Sequence, residues 1–256
     1  MKYLPWNLNI GKRSFLGWIR VNQDRFCVAW LLVAALLSLV RALGSPASPL
    51  LYAVLLFAVL SLPVPAFRWG ISLFPSGSLP AQSLSSVGAR KWSRLDPLEW
   101  HQLRRFDNDM IFSMMVCGLL LNIPVRALEF VAAMPFPIVN APGWYLALFP
   151  LMLLDLAVLT TCYAALSGIA LSGTPAFPRL LIAVWLLDIS AQLGIAAATA
   201  YIPGLPEKVM LLLIDLLHGN INKVAISVAI WLPYLLFSQR INLTFRGRLA
   251  LKPIRR

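Results

Sequence analysis

Two carboxylates stand in stretches otherwise built from Leu, Ile, Val and Ala. Asp155 follows Pro150-Leu-Met-Leu-Leu154, and Asp188 follows Val184-Trp-Leu-Leu187, with Gln192 one helical turn later. Ionisable groups in such surroundings are costly, so each needs a reason to be there. Two carboxylates at one depth in a low dielectric cannot both stay ionised cheaply, and one is expected to hold a proton. Reached by water, the pair would make a proton or cation site. Sealed from water, the acids would hydrogen-bond across two helices, with Gln192, and glue them together. The second outcome is the favoured one. Two further pairs share a three-residue spacing. Arg126 and Glu129 are expected to form an ion pair within one helix near its outer end. Asp215 and His218 read as a solvated interfacial pair, with a pH-responsive pair as the alternative.

No other chemistry is legible. The chain has no phosphate-binding glycine loop, no GxSxG elbow, no HExxH and no calcium-binding loop. Cys27, Cys117 and Cys162 sit in apolar runs without a CxxC, and His101 and His218 are the two histidines. A disulfide framework, a metal centre and a cofactor are therefore not expected. Asn242-Leu-Thr244 has glycosylation spacing but falls in a tail read as cytoplasmic. Basic residues are spread over four loops, which gives no case for nucleic acid. The expectation is a protein that is not an enzyme.

The elements that must hold these residues follow from composition. The 256 residues are 59% hydrophobic and 12% charged, with a mean hydropathy of +0.76. Soluble domains carry about 25% charged residues, so the solvent of this chain is the lipid bilayer. A bilayer core of about 30 Å takes roughly 20 helical residues. Six such stretches are predicted, at about 26–43, 50–67, 110–134, 144–171, 180–202 and 222–238, with prolines at nearly every boundary. The run 209–218 is too short to cross and is expected to be interfacial or re-entrant. Counted from Trp144, Asp155 lies about 16 Å deep, and counted from Arg179, Asp188 lies about 14 Å from the other face. Those depths coincide near the midplane. Rows of small residues, Ala164/Gly168/Ser172 and Ser190/Gly194/Ala198, predict close packing of the fourth span on the fifth.

Six spans put the N-terminal arm, the long central loop, Arg179 and the tail on one side. That arrangement leaves just Arg41, Arg126, Lys208 and Lys223 of the 22 Lys and Arg for the other. The positive-inside rule then makes both termini cytoplasmic. No small-residue cleavage site follows the first apolar run, so it is expected to stay as an anchor. The expected organisation is a basic arm (1–25), a transmembrane hairpin (26–69), a cytoplasmic linker with an amphipathic helix (70–108), a four-helix transmembrane unit (109–246) and a basic tail (247–256). The amphipathic helix starts at the capping box Asp96-Pro-Leu-Glu99 and carries Trp100, Leu103, Phe106 and Met110 roughly on one face. It reads as a membrane-surface anchor or, less favoured, as a docking surface for a protein partner in the membrane or cytoplasm.

The end of the chain carries a resemblance. Trp231-Leu-Pro-Tyr234, then Ser238-Gln-Arg240, then Thr244-Phe245, together with Phe177-Pro-Arg179 between two spans, resembles the bacterial membrane family called domain of unknown function 2569. The resemblance covers about residues 110–246 through Trp231, Pro233, Tyr234, Ser238, Arg240, Thr244 and Phe245. The Gly-Gly-Trp-Leu opening of that family is missing before the third span. It implies a small inner-membrane four-helix unit and brings no catalytic residue. The fold class expected is all-α, a polytopic six-helix membrane bundle. The function expected is that of a non-enzymatic structural or accessory subunit, with a small transporter or channel using Asp155 and Asp188 as the alternative.

Overall fold

The computed structural model describes residues 15–45, 50–73, 86–87, 90–94, 110–246 and 248–250. A short helix α1 (Phe15–Val21) leads into α2 (Gln23–Leu43), then α3 (Leu50–Ser61) and α4 (Pro63–Ser72). After strands β1 (Ser86–Val87) and β2 (Arg90–Arg94) come α5 (Met110–Ala133), α6 (Gly143–Ser172), α7 (Phe177–Thr199) and α8 (Glu207–Phe237). Helix α9 (Gln239–Arg246) and strand β3 (Arg248–Ala250) close the chain. Six helical stretches are long and apolar enough to cross a bilayer, with α3 and α4 together forming the second. The chain is a multi-span helical membrane protein. The predicted amphipathic helix around 96–106 lies outside the described residues.

Proline and glycine set the joints. Pro63 breaks the second span at Leu62, and the carbonyl of Leu60 beside that break accepts the Trp30 indole N–H at 2.7 Å. Inside a membrane a freed backbone carbonyl needs such a substitute partner. Helix α6 stops at Gly173, whose φ of 73° is left-handed, and its N–H caps the carbonyls of Ile169 and Ala170. Pro142 and Pro206 stand at the N-caps of α6 and α8.

One sequence expectation is overturned in α8. Residues 209–218 are not a separate interfacial piece, because the helix runs unbroken from Glu207 to Phe237. Its 31 residues make a rod of about 46 Å, longer than a bilayer core. No proline interrupts Gly219-Asn-Ile-Asn222, and Asn220 is buried and hydrogen-bonded rather than in a turn. Asp215 and His218 are both exposed on this helix, and no ion pair joins them among the described residues.

The two ends of the bundle are tied differently. At one end β2 pairs antiparallel with β3, Trp92 opposite Ala250 and Arg94 opposite Arg248. The segment before α5 and the segment after α9 therefore share that end. Beneath them Phe112, Phe177 and Phe245 form an aromatic trio, with centroids 5.2–6.2 Å apart. At the other end Phe149 gathers Tyr52, Phe130, Phe136 and Tyr145.

The small-residue row of α6 also has a different partner from the one expected. A methyl group built on Gly168 would lie 2.3 Å from the Phe67 carbonyl, and one on Gly70 would lie 2.4 Å from the Ala165 carbonyl. Backbone meets backbone where α4 crosses α6, so the row serves the second span. Around Gly194 on α7 nothing lies within 4 Å of such a methyl, and that row faces open space at its centre. Accordingly Gly168→Ala should destabilise the purified protein by about 1–3 kcal/mol through overpacking, while Gly194→Ala should be near neutral. Thermal unfolding in detergent micelles reads the difference, and equal behaviour of the two variants would contradict the crossing.

Candidate functional site: a polar chain through four helices

The intramembrane carboxylates meet around a residue that sequence reasoning placed elsewhere. Arg126 does not pair with Glu129 on its own helix. Its Nη2 reaches both oxygens of Asp188 at 2.6 Å, and its Nη1 lies 3.4 Å from Oδ2 of Asp155. Its Nε donates to Asn122 Oδ1 at 2.9 Å, one turn back on α5. The physical reason is position. Arg126 lies about 24 Å along α5 from Met110, about 10 Å beyond the depth of Asp188 counted from the same face. It faces the bundle rather than its rim, and a helical side chain leans back toward the helix start, so the long guanidinium arm reaches the carboxylates. Buried charges persist when they find opposite charge and saturating hydrogen bonds, and both aspartates offer that.

The chain of bonds continues in two directions. Tyr163, on α6, donates its hydroxyl to Asp188 Oδ2 at 2.7 Å, and Arg126 lies 5.9 Å from the centre of its ring. Gln192 donates to Asp155 Oδ1 at 3.0 Å, and Asn220 on α8 donates to Gln192 Oε1 at 3.1 Å. Lys223 then donates to Asn220 Oδ1 at 3.3 Å and pairs with Glu129. The structure thus brings Asp155, Asp188 and Gln192 together, but joins the two acids through a guanidinium and not through a shared proton.

Burial grades along this chain. Asp188 and Gln192 are 0% exposed and Tyr163 is 2% exposed. The Lys223 and Glu129 side chains, at 53% and 31%, lie at its outer end. Beside Arg126 and Asp155 sits a small cavity of ≈ 30 Å³, also lined by Glu129, Met134, Met152 and Asn220. That volume holds about one water. It adjoins the far end of α5, away from the paired strands.

The motif residues of the last span occupy the opposite end. The Trp231 and Tyr234 rings meet edge-on at 6.3 Å. Pro233 lies inside α8, and Ser238 is its C-cap, donating its N–H to Tyr234 O at 3.0 Å. Ser238 Oγ accepts the Ile241 N–H at 3.4 Å, which starts α9. Arg240 is exposed, whereas Thr244 and Phe245 are buried. Asn242 is fully buried and donates to the Leu236 and Ser238 carbonyls, locking the α8–α9 corner. Among the described residues no group of His, Cys, Asp and Glu has the geometry of a metal site.

Sequence reasoning missed Tyr163, Asn122, Asn220 and Lys223. One signal was available. Asn122 and Arg126 stand one turn apart on an otherwise apolar helix, the spacing of a polar face turned inward. No such spacing marks Tyr163.

Arg126 is the hub, and its loss should cost most. Arg126→Met strands Asp188 without a counter-charge and should lower stability by about 3–5 kcal/mol. Tyr163→Phe removes one hydrogen bond to a charged group and should cost about 1.5–3 kcal/mol. Unfolding of the purified variants in mixed micelles measures both, and a smaller loss for Arg126→Met than for Tyr163→Phe would contradict this assignment.

No family model, curated protein or solved structure matches the chain, so its reading rests on its own residues.

Proposed function

We propose that the chain is a non-catalytic multi-pass protein of the bacterial inner membrane, with both termini in the cytoplasm, acting as a structural or accessory subunit. The observation that carries this reading is the closed polar chain on α5–α8. Each of its buried members has a partner, and the adjoining cavity takes a water rather than a substrate. Such an arrangement fastens helices. The orientation draws its support from the distribution of Lys and Arg.

The likeness to domain of unknown function 2569 is part of this proposal. Its supporting observation is spatial. Phe177 of the junction between spans and Phe245 of the terminal motif, distant in sequence, are in ring contact with centroids 5.2 Å apart and planes tilted by 35°.

One observation favours a second reading, a proton or cation site. Asp155 faces the cavity, and its Oδ2 contact with Arg126, at 3.4 Å, is the longest in the chain. Arg126 balances one of the two aspartate charges and leaves the other available to a cation.

Mild-detergent extraction of the tagged chain, followed by reconstitution, tests the two together. The structural reading expects a stoichiometric membrane-protein partner and proteoliposomes no leakier to protons or Na⁺ than empty vesicles. A lone monomer whose cation flux disappears in Asp155→Asn would overturn it in favour of the second.

A further inference from the structure

Helix α8 forms an edge of the four-helix unit. Among the described helices its extended packing is on α7 and on α9, which follows it. Its buried stripe is Leu213, Leu217, Asn220 and Val224. At 3.6 residues per turn the opposite side carries Leu211, Asp215, His218, Asn222, Ala225 and Ala229, and all six are exposed. Their spacing alternates four and three residues, which is the seam of a helix that packs on another at a shallow angle. Three consecutive members of this seam are polar. Among the described residues no hydrogen bond or ion pair engages the side chain of Asp215, His218 or Asn222.

These groups lie at membrane depth. Asn220 is hydrogen-bonded to Gln192, so the two share a level, and Gln192 is about 20 Å along α7 from Arg179. Counted along α8 from that level, Asn222 lies about 17 Å, His218 about 23 Å and Asp215 about 27 Å from the face at Arg179. In a core of about 30 Å, Asn222 is near the midplane, His218 is among acyl chains and Asp215 is close to the far boundary. An amide facing hydrocarbon without a partner is costly, and ionisable residues within spans almost always turn toward protein. The seam therefore needs another helix over it.

The chemistry of the three residues says which helix. An asparagine side chain offers both a donor and an acceptor, so its complement is another asparagine. Asp215 and His218 are an acceptor and a donor one turn apart, complements of each other. A two-fold interface has this property, because the same patch serves both sides and residue i meets j while j meets i. We propose that the chain forms a parallel dimer with a second copy of itself through this face of α8, about a two-fold axis along the membrane normal. Asn222 meets Asn222 on the axis. One turn away, Asp215 of each copy reaches His218 of the other, so acids and imidazoles alternate around the axis. Ala225 and Ala229 continue the seam and let the two backbones approach. The inference rests on the membrane reading and goes beyond the inward polar chain, which fixes one unit where this outward row pairs two.

Cysteine cross-linking of the full chain in the membranes of the expressing cells, with Cys27, Cys117 and Cys162 replaced by alanine, tests it. Under mild oxidation Ala225→Cys, on the seam, should give a covalent dimer. Ile230→Cys, exposed but about a quarter of a turn off the seam, should give little. Energy transfer between donor- and acceptor-labelled chains in vesicles, followed as lipid dilutes them, then measures the affinity. Asn222→Leu, a change at an exposed position, should weaken pairing about tenfold with helix content unchanged. His218→Asp should also weaken it, and adding Asp215→His should restore it. Monomers at every dilution, equal cross-linking at positions 225 and 230, or pairing by Asn222→Leu as tight as that of the unaltered chain would overturn the proposal. Failure of the chain to insert into membranes would instead overturn the membrane reading on which it rests.

Discussion

The guanidinium of Arg126, held between two aspartates that come from different helices, is the contact on which the rest of the bundle depends. Its layer divides the core. On one side Leu119, Ile123, Leu159 and Trp185 belong to an apolar cluster that reaches the aromatic trio of Phe112, Phe177 and Phe245. On the other Ala127, Leu156, Ile195 and Leu217 belong to a second cluster that ends on Phe149. Each of the four helices passes through the polar layer once, and the apolar residues flanking that passage go to different clusters. In lipid the apolar surfaces of helices have little preference for one another over acyl chains. A layer that accepts one rotation of each helix, and leaves charges unpaired in every other, gives α5–α8 a single register. That specificity is the benefit set against the desolvation of three charges.

The N-terminal hairpin is fastened by a different force. No buried charge of the described residues joins it to α5–α8, and Gly70 and Gly168 instead allow α4 and α6 to touch along their backbones. Close backbone approach of this kind draws on dispersion and on weak contacts that short distances permit. It leaves α2 held mainly by α3, with its far face on an apolar cleft. The bundle therefore has a polar centre and a looser apolar flank, and the two are joined at the glycine crossing and where Tyr52 packs on Phe149.

Much of this was legible in the sequence. Six apolar stretches of membrane length announce themselves because the bilayer sets their size, and Asp155 and Asp188 share a level because helical rise is constant. What periodicity does not supply is rotation. Arg126 and Glu129 look like a pair at three-residue spacing, yet Arg126 turns inward to Asp188 and Glu129 outward to Lys223. Small residues announce close packing without naming the partner, and α4 takes the place expected of α7. The 209–218 run looked too short to cross because hydropathy drops at Gly219-Asn-Ile-Asn222, whereas Asn220 is polar there to meet Gln192. In each case a long-range partner decided the matter, and such partners leave no local trace.

The central claim is that Arg126 and Asp188 act as one unit. A double-mutant cycle with Arg126→Met and Asp188→Asn, read as unfolding free energy in mixed micelles, tests it most directly. The account predicts strong non-additivity, with a coupling energy of about 2–3 kcal/mol, near the upper range for residues in contact. Additive losses, with a coupling within about 0.5 kcal/mol of zero, would mean that the two side chains do not depend on each other and would contradict it.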